Sequence, residues 1–166
     1  AEMQIVSFAD LYAGKIVAAL DRQHPRDLFD VRDLLTHEGV SAELRRAFLV
    51  YLISHNRPMA EVLAPTRKPL AEEFARGFVG MTQELVALAD LEAAREAIIT
   101  AMISEMPDVH RHFLIGFKRG DPDWQLLGVP QAPRLPAVLW KQRNLDRLTH
   151  DKRREMADIL EKLLFR

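Results

Sequence analysis

Apolar residues recur at helical spacing along almost the whole chain, in blocks separated by proline, glycine and helix-capping residues. The first block opens at Ser7, with Asp10 three positions on in the manner of a capping box. It ends near Gln23, before His24-Pro25, because proline disfavours helical backbone in the residue preceding it. At about 100° per residue, Phe8, Leu11, Tyr12, Ile16, Ala19 and Leu20 share one face of this helix, and Lys15 falls inside that face, between Leu11 and Phe8. Pro25 starts a second helix that stops at Gly39. Its stripe is Leu28, Val31, Leu34 and Leu35, with Asp27 between Leu34 and Val31 and Asp30 at the edge.

A buried ammonium or carboxylate costs several kcal/mol unless it is paired or bound to a ligand. Charged residues on the stripes of two consecutive helices, from Ser7 to Glu38, therefore suggest a shared polar site. A structural reading stands beside it. Lys15 can carry its charge to water along its aliphatic stem. Asp27 is favoured by the macrodipole near a helix N-terminus, and Arg26 and Asp30, four apart, can form a surface ion pair worth less than about 1 kcal/mol.

The remaining blocks extend the pattern. Ser41 caps a third helix whose apolar face is Leu44, Phe48, Tyr51 and Leu52, ended by Asn56-Arg57-Pro58. A short helical turn from Met59 to Leu63 and the loop APTRKP lead to a fourth helix around Leu70 to Val79. The Ala-, Leu- and Glu-rich stretch from Thr82 to Met106 follows, with Asp90 expected to cap a fresh helix inside it. Pro107-Asp108 starts another helix, and GDPDWQLLGVPQAPRLP then reads as the only extended loop, since it holds four of the nine prolines. Two amphipathic helices close the chain, with Asp151 near the start of the second. No period-two strand and no hairpin dipeptide is present. The expected fold is all-α, with about seven helices in one bundle-like domain over residues 1–166 and no significant sheet.

Composition narrows the chemistry. A chain of 166 residues can bury a real core, and a net charge of −1 gives no global field for nucleic acid or an anionic membrane, though a local basic patch stays open. The absence of cysteine rules out disulfides and thiolate metal sites and fits a reducing cytoplasm. No apolar run approaches a membrane span and no signal-peptide pattern opens the chain. The opening AEMQIV lacks an initiator methionine, so the chain is expected to begin partway through a longer protein. The glycines are scattered, without a phosphate-cradling loop or a GxSxG elbow.

His110 and His112, two apart on a helix, point to different sides and make no metal pair. Lys152, Arg153 and Arg154 read as a solvated helix face. Lys141, Arg143 and Arg147, with Trp140, could contact RNA phosphate and stack a base. Packing of Trp140 in the core is the first reading of that residue.

The run LYAGK…AALDR…RDLFDVRDLL resembles the AbiEii/AbiGii-type nucleotidyltransferases, toxin components of bacterial toxin–antitoxin and phage-defence systems, which carry a lysine motif on one helix and an RDxxD motif on the next. YLISHNRPMAEVLAP, GDPDWQLLGVP and LPAVLWKQRNLDRLT resemble landmarks of the family's C-terminal half. The resemblance implies that Lys15 contacts nucleotide phosphates, that Asp27 and Asp30 are the RDxxD carboxylates, and that Arg26 is its nucleotide-binding arginine. It implies transfer of a nucleotidyl group from an NTP to an acceptor such as a tRNA end, with Mg2+ required and a cognate antitoxin as partner.

The family also needs a β-containing N-terminal domain with a Gly-Ser phosphate loop and an Asp-x-Asp metal pair, and neither is in this sequence; Asp121-Pro122-Asp123 sits in the proline loop. Residues 1–166 thus resemble the helical C-terminal half of a split site, expected to be inactive alone, to hold no cofactor of its own, and to expose surface that a homodimer could cover. Two other functions compete. One is a non-catalytic module that binds an antitoxin or another protein partner. The other is a scaffold in which Lys15 and Asp27 form a buried ion pair.

Overall fold

Helices account for all the regular structure that the computed structural model describes, which covers residues 7–78, 80 and 85–166; no strand occurs among them. The opening AEMQIV, the expected helix end at Val79 and the beginning of the Thr82–Met106 stretch lie outside the described residues. α1 (Phe8–Arg22), α2 (Pro25–His37) and α3 (Ala42–Ser54) begin and end at the residues the caps indicate. The Ser7 and Ser41 hydroxyls accept the N–H groups of Asp10 and Leu44, and Gly39 takes the left-handed turn after α2. α4 (Met59–Leu63) is a single turn. α5 (Ala71–Glu73) runs into a π-helical turn, Phe74–Phe78.

α6 (Leu88–Ile99) also continues as a π-helical turn, Thr100–Ser104. Asp90 is not the N-cap expected for it. It stands inside the first turn, where its carboxylate accepts the Ala87 N–H at 3.0 Å. α7 (Asp108–Arg119) ends at Gly120, whose positive φ of 87° would strain any residue with a side chain.

The proline-rich loop is more structured than its composition suggests. It holds α8 (Trp124–Leu127) and a 3₁₀ turn, Ala132–Arg134, and buries Leu127 and Ala132. Trp124 packs its ring against Phe113 and Phe117, with centroids 5.5 and 6.2 Å away. α9 (Pro136–Asp146) and α10 (His150–Leu164) follow.

The described helices exceed seven because the expected Met59–Leu63 turn counts as α4, the helix expected around Leu70 to Val79 appears as α5 and its π-helical turn, and α8 forms inside the loop expected to be extended. α1 is the central element, packed on α2, α3, α4 and α6, while α7 packs on α8 and α10 and α3 joins the two groups. One apolar core runs through both, with Ile16, Leu28, Phe48, Leu91 and Phe113 almost fully buried. Arg111 closes the far end: its guanidinium donates to the Met106 and Ser104 carbonyls at 2.9 and 2.8 Å and to the Leu164 carbonyl, the last turn of α10.

Two faces differ from the wheel. The buried side of α1 is Ala9, Ala13, Ile16, Val17, Ala19 and Leu20, a face turned by roughly 80° from the expected one. The small alanines let α1 approach its neighbours, and Phe8 and Leu11 are left half exposed. On α3, Leu49 and Ile53 are buried and Tyr51 lies at the surface, its ring against Gly14 of α1.

Candidate functional site

α1 and α2 run antiparallel, and the acids of α2 meet bases of α1 in two rungs. Lys15 Nζ donates to Asp30 Oδ2 at 2.9 Å, and both side chains stay partly open, 33% and 40% exposed. The rotation of the α1 face explains this. Lys15 belongs to the rim with Phe8, Leu11 and Tyr12, and its ammonium stands 5.7 Å from the Tyr12 ring centre. The second rung joins Arg22 to Asp27 Oδ1 at 3.1 Å. Lys15 and Asp27 do not pair with each other in a dry core: each meets a partner of its own, Asp30 and Arg22. Arg26 lies exposed in the first turn of α2, its backbone N–H donated to the His24 ring.

Asp27 is the more demanding of the two acids. Its side chain is largely buried, and Oδ2 accepts no hydrogen bond among the described residues. A buried oxygen without a donor lowers stability, and such a group in a folded protein calls for a reason other than folding. Replacing Asp27 by leucine exchanges that oxygen for apolar contact beside Leu34 and Val31, at the expense of the bond from the exposed Arg22 and a weak interaction with the helix N-terminus. Asp27→Leu is therefore expected to leave the unfolding free energy unchanged or higher by about 1 kcal/mol in a urea titration. A clear loss would identify Asp27 as a structural pair with Arg22.

Further along α1, Asp21 is a node that residue spacing does not reveal. His55 bonds its Oδ2 at 3.0 Å, and Arg57 donates to its Oδ1 and, at 3.4 Å, to its backbone carbonyl. Burial pushes the Asp21 carboxyl upward, but the combined hydrogen bonds and charges of His55 and Arg57 outweigh it and hold the group below the usual carboxylate range. A carboxyl with a lowered folded value stabilises the fold above its ordinary pKa and loses that contribution as pH falls through the folded value. The stability difference between wild type and Asp21→Asn is thus expected to be largest at neutral pH. It should shrink below about pH 4 in urea titrations run across that range.

Gln23 and Arg95 form a second feature missing from the helix-wheel reading. Gln23 caps α1 in the left-handed region, with φ of 52°, and is 3% exposed. Its amide donates to the Thr66 carbonyl at 2.8 Å and accepts from the Lys68 N–H at 2.9 Å and from Arg95 at 3.0 Å. Arg95 also donates to the Lys68 carbonyl at 2.7 Å. Arg67 is held outside this network by Glu96, whose carboxyl its guanidinium keeps low against the opposing effect of burial. The sequence signal for Arg95 was the same as for Lys15: a charge on the stripe of Leu91, Ala94 and Ile98.

The basic residues of α9 do not form one patch. Lys141 faces a cavity with Lys118, whereas Arg143 lines a groove with Gly120, Pro122 and Asp146, on another side of the helix. Arg147, just past the end of α9, is exposed. Trp140 is 55% exposed and so does not pack in the core, contrary to the first reading; Trp124 does the packing instead. Its ring stands beside the Lys141 ammonium, 5.9 Å from the ring centre. His112 stacks on Phe165, and no group of three or more histidine, aspartate or glutamate side chains that could hold a metal ion exists among the described residues. No helix among them is long and apolar enough to cross a membrane.

Comparison with known proteins adds the family. No curated protein and no solved structure matches the chain. Residues 1–143 match the family described as nucleotidyl transferase AbiEii toxin, Type IV TA system. That match takes in the Lys15–Asp30 rung, the Arg22–Asp27 rung and the Asp21 node. The chain belongs to the AbiEii family of nucleotidyltransferase toxins of type IV toxin–antitoxin systems.

Proposed function

We propose that this chain supplies the helical part of a nucleotidyltransferase site that moves a nucleotidyl group from an NTP to an RNA acceptor such as a tRNA end. The observation that carries this reading is the Lys15–Asp30 pair, which is oriented by its carboxylate yet open to solvent. In the reaction an acceptor oxygen bonds to the α-phosphorus, the bond from that phosphorus to the bridging oxygen breaks, and pyrophosphate leaves. Such transfers depend mainly on positioning and on neutralising phosphate charge. Lys15 brings a point charge to the phosphates and Asp30 holds it in place. Arg26, exposed one turn away, adds a guanidinium suited to phosphate. Asp27, with one oxygen on Arg22 and the other buried, acts in this reading as a positioning carboxylate beside the rung and does not touch substrate.

The reaction calls for Mg2+, but the described residues do not suit it as a site. Each of the two carboxylates is already engaged by a cation, and no third ligand joins them. The metal-holding carboxylates belong, on this reading, to a catalytic domain outside the 166 residues. Lys141, Arg143 and Arg147 contribute phosphate contacts on two sides of α9. The test is transfer from labelled NTPs to total RNA by the intact protein that contains this chain, beside the isolated chain. Labelling by the intact protein alone supports the reading. Labelling by the isolated chain overturns the assignment of a split site.

One observation favours a second reading, in which the α1 rim is a protein-interaction surface. Phe8 and Leu11 are each half exposed and sit beside Tyr12. Apolar rings at the surface are the usual anchors of a protein contact. An antitoxin seated there would cover Lys15, so that binding and inhibition would coincide.

A further inference from the structure

Away from the α1–α2 rungs, a cavity of about 240 Å³ opens between the end of α3, α7, α9 and α10. Leu52, Phe117, Leu145, Leu148 and Met156 make its walls apolar. Two lysines from different helices enter it, Lys118 from the last turn of α7 and Lys141 from the middle of α9. Neither forms an ion pair or a hydrogen bond among the described residues, and Lys141 has only the ring of Trp140 beside it. His55 and Arg57 line the same cavity from the loop after α3, both held by Asp21.

Two like charges sharing an apolar cavity work against folding. Burial lowers the Lys118 ammonium below the usual lysine range, with the charge of Lys141 adding to it, and burial lowers Lys141 likewise. The carbonyls at the end of α7 favour the Lys118 charge but do nothing for Lys141 in mid-helix. The arrangement is therefore one that an anion completes. A phosphate suits it better than a carboxylate. It can carry two charges for two ammonium groups, and Lys118, Lys141 and Asn144 offer donors around a volume large enough to hold it. Trp140, more than half exposed and with its ring centre 5.9 Å from the Lys141 ammonium, presents a face on which a base can stack.

We infer that the Lys118–Lys141 cavity is a phosphate-binding site, for the phosphate of a nucleotide or of a single RNA strand whose neighbouring base rests on Trp140. Its lining includes Lys141, to which the proposed function gives an RNA-phosphate contact, but no residue of the Lys15–Asp30 rung, so loss of that rung leaves the site in place.

The test measures binding of three probes to the 166-residue chain by calorimetry: inorganic phosphate, AMP and a single-stranded RNA hexamer. All three are expected to bind wild type. Lys118→Met and Lys141→Met each remove a charge-assisted contact and should weaken every probe about tenfold or more. Both variants should also melt at a higher temperature than wild type without ligand, because the repulsion is gone; this separates lost binding from lost folding.

Trp140→Ala should weaken AMP and RNA but leave inorganic phosphate unchanged. Lys162→Met, a change at an exposed α10 lysine outside the cavity, should bind all three as wild type does. RNA binding tighter than AMP identifies a strand as the ligand, and equal affinities identify a free nucleotide; either supports the site. Absence of binding to wild type, binding unaffected by both cavity-lysine variants, or binding lost equally in Lys162→Met overturns it.

Discussion

Replacing Lys15 by alanine is expected to cut nucleotidyl transfer by the intact protein about a hundredfold to a thousandfold, the range seen when one preorganised charge donor is lost from a transition state. The chain should stay folded. The Lys15–Asp30 pair is one-third to two-fifths exposed, and pairs of that kind contribute less than about 1 kcal/mol. Circular dichroism and urea unfolding then separate the two effects. Lys15→Arg keeps the charge but spreads it over a planar fork, so partial activity is expected. Asp30→Ala leaves the ammonium present but unheld, and its loss should be smaller than that of Lys15→Ala. Unchanged transfer by Lys15→Ala, in a protein whose wild type is active, would reduce the rung to a surface ion pair. The α1 rim of Phe8, Leu11 and Tyr12 would then be the feature left to explain by partner binding.

Gln23→Ala should be the most destabilising single change outside the apolar core, by about 3–5 kcal/mol. The side chain holds three hydrogen bonds in a site 3% exposed, and its removal takes a partner from the Thr66 carbonyl, from the Lys68 N–H and from Arg95 Nη1, which keeps only the Lys68 carbonyl. Each of these groups bears its own desolvation penalty, and Arg95 bears the largest because it is charged. Gln23→Gly is the informative companion. It relaxes the left-handed backbone at φ of 52° but restores no bond, so it should recover only a small part of the loss. Thermal or urea unfolding of both variants checks this. A loss below about 1 kcal/mol for Gln23→Ala would mean that water replaces the amide without difficulty and that the network does not fasten the 64–70 segment to α1.

Much of the architecture was legible in the chain order of its residues. Ser7, Pro25, Gly39, Ser41 and Gly120 mark helix ends through their own backbone preferences and side-chain hydrogen bonds, which need no distant partner. The long helices and the absence of strands among the described residues follow from the same local rules. So does the position of Asp27 between Leu34 and Val31, because the α2 stripe is narrow and unambiguous.

Where the pattern admits two answers, neighbours decided. The α1 wheel offers a broad apolar arc, and either Phe8 with Leu11 or Ala9 with Ala13 can face inward. Close packing against α2, α3 and α6 selected the alanines and turned Lys15 to the rim. Trp124 and Trp140 are equally apolar in sequence, yet only Trp124 meets the rings of Phe113 and Phe117, brought there by the folding of the proline-rich loop. Partners far apart in the chain were not readable at all: Asp21 with His55, Gln23 with Arg95, Lys118 with Lys141.

The sequence by itself therefore determined the long helices and most of their ends, since these depend on a residue and its near neighbours. Only the tertiary structure decided which charge meets which. Pairing depends on how far each helix turns about its axis, and that rotation is set by the volumes of all the side chains packed against it.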